Sequence, residues 1–195
     1  MENNYYESSL PNGFCLTVKR MENEMKFVIE RACKAEAGTI IDIIWKVWEE
    51  IEQKQWFVVD PREYTQKQLM EGISIAYKAV EKATGEIAGV FIVLFPGTSQ
   101  ENLGNDIGLG KRELERVAHM ESAAILSNYR GNGLQYQLMH TAEEELRKMG
   151  YCYLMCTVHP DNQYSKNNII RQGYEVVKTG EKYGGYMRNI LLKRL

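Results

Sequence analysis

The chain has 195 residues, a formal net charge of −2, 44% hydrophobic residues and 26% charged residues. That length suits one compact domain with a full core, and the near-neutral balance gives no basic field for nucleic acid. The longest apolar run, 90–95, is far too short to span a bilayer, and the N-terminus lacks the basic-then-apolar pattern of a secretion signal. Cys15, Cys33, Cys152 and Cys156 form no CxxC pair and no metal-ligand spacing with the three histidines. Reduced thiols, no metal and a cytoplasmic location are therefore expected.

Residues 1–24 are polar and irregular, with Pro11-Asn12-Gly13 marking a turn and Phe14 to Val18 offering an added edge strand. They read as an appendage of uncertain order, with one domain covering 25–195. Lys26 to Ala32 alternates as a strand. From Ile40 to Ile51 the apolar residues recur at i, i+3, i+4, i+7 and i+8, which predicts an amphipathic helix with Thr39 as its N-cap. Trp45 and Trp48 are read as core residues. A second helix is expected from Arg62 to Glu71, ended by Gly72.

Ile73 to Val80 alternates as a half-buried strand, Lys82 to Gly85 reads as a hairpin turn, and Glu86 to Phe95 as a fully buried strand. The Gly/Asn-rich stretch 97–113 is expected to be a long loop, either over a binding site or as a solvated insertion. Leu114 to Leu126 follows as a strand, then a helix from about Gly133 to Met149 with Leu134, Leu138, Met139, Ala142 and Leu146 on one face. A strand over 151–158, a short helix over 163–172 and two final strands, 174–177 and 186–192, complete the chain.

The most informative stretch joins the strand ending at Leu126 to the helix beginning near Leu134. Gly131 and Gly133, one residue apart, let the backbone turn sharply and aim several N–H groups at one point. The unpaired amides and positive dipole end of the next helix reach the same point, so the construction suits a phosphate or pyrophosphate. A dinucleotide fingerprint would need a third glycine where Tyr136 stands, and a Walker A loop would need a Gly-Lys-Ser/Thr ending that is absent.

Arg130-Gly131-Asn132-Gly133-Leu134 resembles the (Gln/Arg)-x-x-Gly-x-Gly/Ala signature of the GNAT acetyltransferases, which cradles the pyrophosphate of coenzyme A. A second match lies downstream. Asn162, Ser165, Gly173 and Tyr174 align without a gap on the family pattern of an Asn after the fifth strand, a small residue, and a helix ending in Gly-aromatic. The order of expected elements fits as well. The resemblance covers roughly residues 25–195 and implies an α/β (α+β) fold with a central mixed, mostly antiparallel sheet flanked by helices.

It further implies an acetyl-CoA-dependent N-acetyltransferase. Ala123, Ala124 and Ile125 would offer backbone groups to the pantetheine arm, while Arg130, Gly131, Asn132, Gly133, Leu134 and Gln135 would hold the pyrophosphate. Asn162 and Ser165 would complete the coenzyme A contacts. A lysine-like amine has a pKa of about 10.4 and must lose a proton to attack. Glu121 resembles the strand glutamate that serves as general base in several members, and alternation puts His119, Glu121, Ala123 and Ile125 on one face. The tyrosine that protonates the departing thiolate in many members falls here on Ile169, which has no proton to give. Tyr164, with Asn168 also nearby, is the expected substitute. The acceptor is expected to be a primary amine of a small molecule. A peptide or protein amine, or a non-catalytic acyl-CoA-binding module, are the alternatives, and a homodimer is compatible with the family.

Overall fold

A computed structural model describes residues 26–195. The edge strand expected over 14–18 lies outside the described residues. Seven strands form one sheet in the order β1-β2-β3-β4-β5-β7-β6: β1 (Phe27–Arg31), β2 (Ser74–Glu81), β3 (Ile87–Leu94), β4 (Val117–Ile125), β5 (Tyr153–Val158), β6 (Glu175–Lys182) and β7 (Tyr186–Arg194). Every pairing is antiparallel except β4 with β5. The sheet is thus mixed and mostly antiparallel, as expected.

Five helices accompany it: α1 (Ala37–Glu50), α2 (Arg62–Glu71), the short α3 (Lys111–Leu114), α4 (Leu134–Lys148) and α5 (Gln163–Arg171). The apolar stripe of α4 is buried as its spacing predicts, and Leu134, Leu138, Met139, Ala142 and Leu146 join Tyr77, Phe91, Ala118 and Met120 in the largest core cluster. On the other side of the sheet, Ile40, Ile43, Ile44 and Val47 of α1 and Leu69 of α2 pack on Ala76, Val90, Ile92 and Ala124. Tyr174 anchors the C-terminal half, donating to Glu143 at 2.8 Å. Glu143 also meets Lys193 at 2.5 Å, so this buried carboxylate is fully paired.

Three local expectations need correcting. Thr39 is not an N-cap. The chain enters α1 through a 3₁₀ turn, Lys34–Glu36, and the Glu36 carboxylate accepts from the Cys33 N–H at 2.9 Å, so Thr39 falls inside the first turn. The stretch 97–113 is not an open loop: it holds a 3₁₀ segment, Leu103–Ile107, and the start of α3, which also claims Leu114. Asn102 fastens it, capping the Gly104 N–H at 2.8 Å and donating to the Leu114 carbonyl at 3.1 Å.

The third correction concerns β4. Ile92 pairs with Ser122 but Val93 pairs with Met120, which leaves Glu121 as an extra residue in a bulge. Strict alternation fails there. His119 and Glu121 stay on the α1/α2 face, whereas Ala123 and Ile125 pack against the α4 core instead of sharing it. Among the described residues, no helix is long and apolar enough to cross a membrane.

Candidate active site

The parallel β4–β5 ladder covers only Val117–His119 against Tyr153–Met155. Beyond that point β4 continues to Ile125 and β5 to Val158 without pairing, so the two strands splay apart. Burial follows the ladder: Val117 to Met120 are buried, but Glu121, Ser122, Ala123 and Ile125 are not. Among the described residues, their backbone groups on the β5 side have no strand partner, which would suit a narrow chain with amide groups of its own.

Leu126, Ser127–Tyr129 in a 3₁₀ turn, and the glycine loop follow directly. Gly131 and Gly133 adopt φ of +84° and +68°, and a Cβ at either position would meet nothing within 4 Å. Among the described residues, no acceptor is found for the backbone N–H groups of 131–136; the first intrahelical bond comes from Gln137, to the Gly133 carbonyl at 3.1 Å. Six consecutive donors are thus left unpaired beside open space at both glycines, and the first turn of α4 carries no acidic residue. A diphosphate fits this arrangement by charge and by hydrogen bonding.

The side chains around the loop mostly brace it. Asn132 donates to the Tyr129 carbonyl at 2.9 Å, and the Tyr129 hydroxyl donates to Glu86 at 2.8 Å. Arg130 is half exposed and reaches Glu50 at 3.6 Å, so its guanidinium stands at the rim. Gln135 accepts from Asn168 at 2.7 Å, which ties α4 to α5. Asn162 caps α5 by accepting from the Ser165 N–H at 3.1 Å. The sequence-derived coenzyme residues therefore gather around the loop, the splay and the α5 N-terminus, with Asn162 and Ser165 joined by the cap itself.

Ile169 is buried in the main core, which accounts for an aliphatic residue there. Tyr164 sits in the first turn of α5, 89% exposed and with no hydrogen-bond partner among the described residues. It is not brought to the other candidates by any contact.

On the α1/α2 face, Glu121 and Ser122 line a cleft with Ile41, Ile44 and Trp45 of α1, Asp60 before α2, and Gln68 of α2. Its cavity of about 20 Å³ has room for roughly one water molecule. The Glu121 side chain is 27% exposed, and burial, with the negative charges of Asp60 and Glu101 added, pushes its carboxyl up to about 7. Asp60 is raised in turn, by burial first and by Glu101 second. His119 is held neutral: burial lowers it to about 4, and its Nε2 accepts from the Leu103 N–H at 3.0 Å. That bond leaves the proton on Nδ1, which stands 3.9 Å from the Glu121 carboxylate. His159, at the end of β5, has its Nδ1 occupied by the Asp161 N–H at 3.2 Å.

Several residues here escaped sequence reasoning. Tyr183, between β6 and β7, takes φ of +52° although it is not glycine. Its hydroxyl shares a 3.0 Å hydrogen bond with Thr157 of β5, inside the splayed segment. Burial and the Glu121 charge both raise its pKa. Asp60, Glu101, Thr157 and Arg188 were likewise unmarked, and Trp45 lines the cleft rather than the core interior. A non-glycine residue beside Gly184-Gly185 in a hairpin was the one available signal, and it is weak.

The matches with known proteins agree with this geometry. The family model described as Acetyltransferase (GNAT) family matches residues 40–174. No curated protein matches the chain. Among solved structures, a GNAT-family acetyltransferase from Streptococcus pneumoniae is 18% identical, covers 87% of this chain and 99% of its own, and superposes with a TM-score of 0.63. Arabidopsis thaliana NAA60 in complex with acetyl-CoA is 10% identical over 87% of this chain and 98% of its own, with a TM-score of 0.68. Ribosomal-protein-alanine N-acetyltransferase from Brucella melitensis is 20% identical over 86% and 99%, with a TM-score of 0.62. With its signature loop, its splayed strands and a family model spanning most of its length, the chain belongs to the GNAT family of acetyltransferases.

Proposed function

We propose that the protein transfers an acetyl group from acetyl-CoA to the primary amine of a small molecule. The observation that carries this reading is one juxtaposition. Six unpaired amides suited to a diphosphate end one side of the β4–β5 splay, and a carboxylate raised to about 7 stands beside it on the other. The amides of 131–136 would hold the pyrophosphate, with Arg130 at the rim and Asn162 and Ser165 of α5 flanking. The open edge of Ala123, Ala124 and Ile125 would pair with the pantetheine arm, which brings the activated acetyl group when bound.

Glu121 would take the proton of the amine, directly or through a water in the small cleft. Its raised pKa leaves it roughly half ionised near neutral pH, where a base accepts a proton most usefully. His119 acts as a positioning residue: its Nδ1 proton faces Glu121 while Leu103 fixes the ring. For the leaving thiolate two tyrosines compete, Tyr164 on α5 and Tyr183 on the hairpin. Tyr183 is the better supported, because Thr157 holds its hydroxyl at the splay. Much of the acceleration comes from holding amine and thioester together.

A small acceptor is favoured by a bridge from the sheet to the α1–α2 connection. Arg188 of β7 donates to the carbonyl of Gln55, in the α1–α2 connection, at 2.7 Å. That contact would obstruct an extended chain laid between β7 and the α1–α2 connection, which supports the smaller acceptor. The deciding experiment supplies acetyl-CoA and a panel of amino acids, simple amines and peptides bearing free N-termini, and follows release of the CoA thiol. Release with small amines is expected. Exclusive use of the peptides would move the acceptor to protein N-termini, and tight acetyl-CoA binding without release would make the chain a binding module.

A further inference from the structure

Arg188 raises a separate question, because among the described residues its charge has no carboxylate partner. Its residue is 2% exposed, on the face of β7 that also carries Ile190 and Leu192. A guanidinium does not lose its proton in a protein, and burying a charge without an opposite one is costly. Elsewhere the chain avoids that cost: buried Glu143 meets Lys193 and Tyr174, and Asp106 meets Lys178 and Lys182.

Arg188 instead donates to two backbone carbonyls, Gln55 at 2.7 Å and Met187 at 2.9 Å. The rings of Tyr183 and Tyr186 lie with centroids 5.7 and 5.6 Å from its Cζ. Carbonyls and rings soften the penalty without neutralising the charge. Among the described residues, no carboxylate forms an ion pair with it. Of the five N–H donors of a guanidinium, those two bonds leave three unused, Nε–H among them.

The surroundings indicate what those donors await. Tyr183, which flanks Arg188, hydrogen-bonds Thr157 at the β4–β5 splay. On the same face of the sheet stands an acidic group, Glu121 with Asp60 and Glu101, and the Glu121 and Asp60 charges reach the Tyr183 hydroxyl as the Arg188 charge does. A cationic fork and an acidic group thus flank Tyr183. A molecule with a carboxylate and an ammonium group at opposite ends matches both.

We propose that Arg188 anchors a carboxylate of the acceptor, so that the acetylated amine belongs to a free amino acid or a close aminocarboxylate. The fork offers two parallel N–H bonds of the kind a carboxylate accepts bidentately. Anchoring there leaves the ammonium end to the acidic side, where Glu121 takes its proton. The inference rests on the transferase reading above.

The test gives the purified full-length chain acetyl-CoA and free amino acids, each matched with its α-amide and its decarboxylated amine. The thiol released is measured as kcat/KM. The acid should be preferred over the amide by about ten- to a hundredfold, the size expected for a charge-assisted pair. Amine basicity cannot produce that preference, since the amide has the less basic amine and starts with more of it neutral. Arg188→Gln should bring the ratio close to one. Arg188→Lys, which keeps the charge and loses the fork, should retain part of it and guards against a glutamine variant that fails to fold. Equal use of acid and amide by the unmodified chain would overturn the inference while leaving the transferase reading intact. No release with any amine would overturn that reading, and the inference with it.

Discussion

The glycine loop and the Glu121 cleft lie at neighbouring points of one sheet, but they are built from different parts of the chain. The loop uses backbone: six consecutive N–H groups, two glycines at positive φ, and the first turn of α4. The cleft uses side chains from α1, α2, the stretch before α2, β3 and β4, and on the same sheet Thr157 of β5 meets Tyr183 of the β6–β7 hairpin. On the proposed function, the backbone donors would recognise a group common to every donor molecule of the reaction. Side chains brought from distant segments recognise whatever the particular acceptor requires. A change in the loop should therefore remove binding outright, whereas a change in the cleft should alter rate, pH dependence or selectivity with acetyl-CoA still bound.

The sharpest way to break this division is at Gly133. Valine there would be forced into φ of +68°, a conformation costly for a β-branched residue, and its side chain would fill the space into which the amides point. Losing two or more charge-assisted bonds should weaken acetyl-CoA binding by about two orders of magnitude or more. Titration calorimetry reads this directly, with the far-ultraviolet circular dichroism spectrum as a check on the fold. Unchanged affinity would sink the assignment of the loop.

The next largest effect belongs to Glu121. Replacing it with glutamine should lower kcat by about 10²- to 10⁴-fold, the usual value of general-base help. A base works only when ionised, so the rate of the unmodified chain should climb as pH rises through about 7 and then level off. The glutamine variant should lose that limb. Stability supplies an independent reading. The folded pKa lies above the ordinary glutamate value of 4.5, so the fold favours the neutral carboxyl, and this contribution is complete below 4.5 and is lost as pH rises through about 7. The glutamine variant should accordingly melt above the parent at pH 8 and close to it at pH 4. Coinciding rate profiles would exclude Glu121 as the base.

The same division explains what the sequence made legible. Strands, helices and the α4 stripe follow from periodicities of two and 3.6 residues, and their positions were recovered to within a few residues at most ends. The loop was legible because glycine is the residue that adopts positive φ cheaply, so its conformation is written in its composition. The bulge at Glu121 was not: one extra residue on β4 is defined by its partner strand, and nothing in the order His119-Met120-Glu121-Ser122 announces it. Thr39 looked like a cap because threonine suits that position, but Glu36 closed the turn first. Asp60, Tyr183 and Arg188 became neighbours only through sheet order, which places β5 beside β7 and folds the hairpin back over the splay. Residues that meet through topology leave no spacing to read.

The smallest of these effects falls on the tyrosines, and it tests the division most finely. A thiolate is a good leaving group: a cysteine-like thiol has a pKa of about 8.5, well below that of an alcohol or amine, so its departure needs less help from an acid. Tyr183→Phe should therefore lower kcat by about tenfold, the low side of acid assistance, while leaving acetyl-CoA affinity unchanged. The substitution keeps the ring against Arg188 and removes only the hydroxyl that meets Thr157, so the hairpin should stay in place. Tyr164→Phe, at a position 89% exposed and unpartnered, should change kcat by less than about twofold. Single-turnover measurement of thiol release separates the two cases, because an acid acting on the leaving group affects the transfer step itself. A larger loss at Tyr164 than at Tyr183 would return proton delivery to α5, the side on which Asn162 and Ser165 form their cap. It would also mean that the acceptor side contributes the base and the carboxylate anchor alone.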